Sequence, residues 1–114
     1  MALYRKLNRR TQIRRSILAG LTKDVIMKGY VETTDARAKE VKKHVDKMIS
    51  YAKKGTLVSR RKALAFLHND KDVTKKLFDE LAGKYQDRNG GYTRIIKLQE
   101  RKGDDALIVR LELV

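Results

Sequence analysis

The chain has 114 residues, enough for one domain with a single modest core. Lys and Arg total 28 against 14 acidic residues; a net charge of +14 self-repels unless it meets a polyanion, most commonly nucleic acid. The absence of Cys excludes disulfides, zinc knuckles and thiol catalysis, and the absence of Pro leaves no stiff linker to divide the chain.

No run approaches the ~20 apolar residues of a membrane span. The apolar stretch at 17–21 is short and bounded by Arg15 and Lys23, unlike a signal peptide. The expectation is a soluble intracellular protein with no membrane partner. Its core is drawn mainly from Leu, Ile, Val and Ala, because the chain has only 2 Phe, 5 Tyr and no Trp.

Residues 1–12 read as a flexible basic arm. Arg5, Lys6, Arg9 and Arg10 crowd it, and its apolar residues are too scattered to define a buried face. A single domain over 13–114 follows. Ile13, Ile17, Leu21 and Val25 recur at helical spacing, with Leu18 widening the stripe. Arg10, Arg14 and Arg15 are expected to point outward from that helix, which Gly29 closes.

Tyr30, Val31, Glu32, Thr33 and Thr34 predict a short strand, and Thr34 an N-cap for the next helix. In that second helix Ala38, Val41, Val45, Met48 and Ala52 form one face and Gly55 ends it. A shorter third helix spans 57–67, opened by Ser59, with Arg60, Arg61 and Lys62 in its first turn. Cations there oppose the helix dipole, which makes sense beside an anion. Asp72 is a candidate cap for a fourth helix carrying Val73, Leu77, Phe78 and Leu81 inward and ending at Gly83.

Beyond it, the stretch from Tyr85 to Ile96 changes period from helix to strand around Gly90 and Gly91. Two adjacent glycines serve a plain helix-to-strand turn. They equally let a phosphate chain approach bare backbone while Arg88 and Arg94 grip it, with Asn89 beside them and Tyr92 stacking on a base. Strands at 92–99 and 107–114 then form a hairpin, which the Val31 strand joins. The predicted fold class is α+β: four helices packed on one small mixed sheet of about three strands.

Nothing catalytic stands out. His44 and His68 lack partners at metal-ligand spacing and read as surface residues, and Asp104 and Asp105 read as turn formers. No P-loop is present. No enzyme activity, cofactor, metal or small-molecule substrate is expected. Cations dispersed over arm, helices and hairpin suit a large irregular RNA better than one DNA groove. A DNA-binding module and a metal-dependent RNA-processing enzyme using Asp104 and Asp105 are the alternatives.

Short strings in a fixed order carry a resemblance. They begin with Tyr4-Arg5-Lys6-Leu7 and Arg9, then Glu32-Thr33-Thr34 and Arg37-Ala38-Lys39-Glu40. Lys53 with Gly55, Arg60-Arg61, Leu77-Phe78 and Tyr85 with Arg88 follow. Gly90-Gly91-Tyr92-Thr93-Arg94-Ile95, Arg101 with Gly103-Asp104, and Leu111-Glu112-Leu113-Val114 complete them. Over its whole length the chain resembles the bacterial large-subunit ribosomal protein seventeen family.

The resemblance implies a structural constituent of the large ribosomal subunit, cytoplasmic, bound to 23S rRNA and neighbouring ribosomal proteins near the exit of the nascent-peptide tunnel. No homo-oligomer is expected. It implies rRNA contacts from Tyr4, Arg5, Lys6, Arg9, Arg14, Arg60, Arg61, Arg88, Tyr92 and Arg94. The charge pattern and the glycine turn add Arg10, Arg15, Lys62, Asn89, Gly90 and Gly91. The sequence departs from the family pattern at Ile13, where many members carry His, at Ala19-Gly20, and at Leu107, where Pro is common.

Overall fold

The computed structural model describes residues 11–100, 103 and 106–114. The arm up to residue 10, with candidate contacts Tyr4, Arg5, Lys6, Arg9 and Arg10, lies outside them, as do Asp104 and Asp105. Helix α1 (Thr11–Lys28) leads to strand β1 (Tyr30–Thr34), helix α2 (Asp35–Lys54) and helix α3 (Leu57–Phe66). Helix α4 starts as Lys71–Lys76, widens into a π-helical turn over Leu77–Leu81 and ends as Ala82–Lys84. Strands β2 (Thr93–Glu100) and β3 (Leu107–Leu113) follow.

The sheet has the order β1-β3-β2 with both pairings antiparallel, which corrects the expected mixed sheet. The last strand lies in the middle and each neighbour runs against it, so no parallel pair arises. Thr33 opposes Val109, and Val31 and Ile95 flank Leu111 on one face of the pleat. Val109 and Leu111 are fully buried against α2, the central helix, whose Ala38, Val41, Val45, Met48, Ile49 and Ala52 form the spine of the core. Burying each large aliphatic side chain contributes about 1.5–3 kcal/mol.

Helix α1 is turned relative to the sequence expectation. Leu18, Ala19, Thr22, Val25 and Ile26 are buried, whereas Ile13 is exposed. Thr22 enters the core because its hydroxyl donates to the Leu18 carbonyl at 2.7 Å, which satisfies the polar group locally. Thr56, rather than Ser59, caps α3 by accepting from the Ser59 amide, and Ser59 is buried. Asp70, rather than Asp72, caps α4 through the Val73 amide. The π turn carries α4 past Gly83 to Lys84.

Candidate nucleic-acid interface

The glycine turn is held from inside the molecule. Gly90 and Gly91 both take left-handed backbone, φ 89 and 62, a conformation that glycine adopts without strain. Lys53, from the last turn of α2, reaches beneath it and donates to the Arg88 carbonyl and, at 3.0 Å, to the Tyr92 hydroxyl. That hydroxyl donates to the same carbonyl at 3.1 Å. The Lys53 ammonium holds the Tyr92 phenol below the usual tyrosine range, against the upward push of burial.

Tyr92 is buried, and its ring meets Tyr85 edge-on at 5.2 Å. The expectation that Tyr92 stacks on a base is therefore corrected: the ring is a pin of the turn, facing inward. Tyr85 is buried as well, and its hydroxyl donates to the Val114 carbonyl at 2.9 Å. Thr93 is anchored on α2, its hydroxyl donating to Asp46 at 3.3 Å while Lys42 donates to its carbonyl at 2.5 Å. Burial pushes the Asp46 carboxyl up, and Lys42 and the Thr93 hydrogen bond oppose that shift.

The cations lie on the outside of this pinned turn. Arg88 is exposed; its guanidinium donates to the Gly91 carbonyl at 3.4 Å and sits 5.9 Å from the centroid of the Tyr85 ring. Lys84 adds an ammonium 5.2 Å from the same centroid. Asn89 is exposed beside them. Arg94 stands on the outer face of the sheet, its side chain 60% exposed, and pairs with Glu112 at 3.1 Å. An exposed pair of this kind contributes only about 0–1 kcal/mol, so a phosphate can compete for the guanidinium.

A second cationic group heads α3, where Arg60, Arg61 and Lys62 are all exposed and the Arg60 guanidinium lies 5.1 Å from the centroid of Phe78. A third surrounds a cavity of about 690 Å³ between the start of α1, the middle of α2 and the end of α3. Arg15 lines it and is exposed, as expected. Arg14 lines it too but is only 6% exposed, which corrects its expected outward placement. It occupies the core-facing stripe with Leu18 and Thr22, one helical turn apart each.

His44 is likewise no plain surface residue. It is half-buried and stacked on Phe66, centroids 4.7 Å apart and planes 21° from parallel. Burial pushes its imidazole below the usual range; Glu40 opposes this, and Lys47, Lys43 and Arg14 reinforce it. Sequence reasoning missed this cavity and the role of Lys53. Lys53 had two legible signals, its pairing with Gly55 among the strings of the resemblance and its place in the last turn of α2. Among the described residues no group of His, Asp or Glu could hold a metal ion, and no helix is long and apolar enough to cross a membrane.

Comparison with known proteins decides the family. The sequence profile described as Ribosomal protein L17 matches residues 17–114. The chain belongs to the ribosomal protein L17 family. It is 52% identical over 124 aligned residues to the large ribosomal subunit protein bL17 of Limosilactobacillus reuteri (strain DSM 20016), covering 97% of this chain and 98% of the relative. To the bL17 protein of Thermoanaerobacter sp. (strain X514) it is 53% identical over 111 residues, with the same shares covered. The bL17 protein of Fusobacterium nucleatum is 51% identical over 111 residues, covering 97% and 95%. Membership of the L17 family makes this a structural ribosomal protein rather than an enzyme.

Proposed function

We propose that this chain is a structural constituent of the large ribosomal subunit that binds 23S rRNA through separated Lys and Arg groups. The observation that carries the reading is the glycine turn: a backbone locked from below by Lys53, Tyr85 and Tyr92, with Arg88 and Arg94 left on the outside. A preformed turn presents its cations without an added backbone ordering cost, and each phosphate they neutralise releases counterions.

The exposed cations at the head of α3 and Arg15 on α1 supply further anchor points, and the basic arm is assigned the same role. Several anchors on different elements let one small domain hold RNA helices where they meet. The family resemblance supports a place near the exit of the nascent-peptide tunnel, beside other ribosomal proteins, in the cytoplasm. Gradient sedimentation of a cell extract tests the reading. The native protein is expected to travel with large subunits and to leave them at high salt; finding it wholly in the ribosome-free fraction would overturn the proposal.

A further inference from the structure

The cavity between α1, α2 and α3 combines features that a phosphate-backbone anchor does not need. Its floor holds Leu18 and the stacked pair His44 and Phe66, and its rim carries Arg15, Lys43 and His68. A flat apolar surface beside the Arg14, Arg15 and Lys43 cations matches a nucleotide, whose base is flat and whose phosphate is anionic. The only acidic group lining it among the described residues is Glu40, which is buried and ion-paired with Lys43 at 3.3 Å, so Arg14 and Arg15 leave the lining positive. At about 690 Å³ the cavity lies within the range of pockets that enclose small organic molecules.

The end of α3 supplies an independent observation. Its last turn closes by paired bonds from the His68 amide to the Ala65 carbonyl and from the Asn69 amide to the Leu64 carbonyl. This closure places His68 at φ 55, a left-handed position where glycine is the relaxed residue. An imidazole is held there at a conformational cost, on the lip of the cavity.

We propose that this cavity receives one unpaired nucleotide of the bound RNA, its base against the Phe66–His44 pair and its phosphate on the Arg15 and His68 rim. The inference rests on the RNA-binding reading above and gives it a second mode. The cationic turn tracks backbone charge, whereas the cavity selects an extruded base, which a duplex does not offer. Lys43 closes the α2 side of the rim.

The full-length protein is titrated with a short single-stranded oligoadenylate and, separately, with a blunt RNA duplex, following the ring protons of His44 and Phe66 by NMR. The ring signals are expected to move with the single strand and stay in place with the duplex. Phe66→Leu should weaken single-strand binding roughly 5- to 100-fold, the effect of losing one base–aromatic stack, with duplex affinity unchanged. Because Phe66 also packs on the core, His68→Asn, which tolerates the left-handed backbone, serves as the second variant and should act in the same direction.

Ring signals indifferent to the single strand, or equal losses for both RNAs, would overturn the proposal. So would contacts from Tyr4 or Leu7 to the Phe66 ring that persist when RNA is bound, since the chain's own arm would then be the occupant. A protein that binds large-subunit rRNA but shows any of these results loses only the cavity assignment. One that binds no RNA of any kind loses the functional reading itself.

Discussion

The glycine turn and the α1–α3 cavity both set aromatic rings among cations, yet they use the rings in opposite ways. At the turn, Tyr92 and Tyr85 are buried edge to face, and their hydroxyls fasten the Arg88 and Val114 carbonyls. At the cavity, Phe66 and His44 are only half-buried and line an open space. A tyrosine next to arginines in sequence therefore says little about stacking. What matters is whether the hydroxyl finds a partner inside the protein and whether the ring is covered.

Tyr92→Leu should break the turn side of the comparison most severely. Losing a buried ring and its hydrogen bonds to Arg88 and Lys53 is expected to cost about 2–4 kcal/mol in denaturant unfolding. A loss of RNA affinity at unchanged stability would return Tyr92 to the RNA side. Gly91→Val comes next, at about 1–3 kcal/mol, from backbone strain. The space where a Cβ on Gly91 would stand is open to 4 Å, so a steric clash contributes nothing and Gly91→Asn should be much milder.

The cavity side is sharpened by two smaller effects. His68→Gly should raise stability by about 1 kcal/mol by relieving left-handed strain while weakening single-strand RNA binding, a trade visible only if both are measured. The second effect is pH dependence. Burial lowers the folded pKa of His44 below its ordinary 6.5, so as pH falls through that value the unfolded chain takes the proton first. Stability should decline there and level off below the folded pKa, and His44→Gln should flatten the decline. The charged groups facing His44 are Glu40, Lys43 and Lys47 on α2 and Arg14 on α1, with His68 across the cavity at the end of α3. Asp46 has a raised pKa, so its effect has the opposite sign: as pH falls the folded chain takes that proton first, and the gain in stability is complete once pH has dropped below 3.8.

Local signals made much of the fold legible. Helix α2 shows a strong apolar face and an αL Gly55, and β3 alternates cleanly, so both follow from periodicity. The face of α1 does not, because Thr22 and Arg14 count as outward residues until Thr22 is seen bonded to its own helix and Arg14 is found in the buried stripe. Sheet direction depends on where the last strand inserts, a long-range fact. The turn was legible in Gly90-Gly91, but the inward face of Tyr92 depends on Lys53 and Tyr85 arriving from other helices. The cavity was invisible for the same reason, since Arg14, His44 and Phe66 come from three elements.

The most direct test of the central claim is the salt dependence of affinity for large-subunit rRNA, measured for the native protein and for Arg88→Ala and Arg94→Ala. Phosphate neutralisation predicts a steep linear fall of log affinity with log salt, reduced by about one unit of slope in each variant. A native slope near zero, or slopes that both variants leave untouched, would contradict the account and confine Arg88 and Arg94 to holding the turn and the sheet.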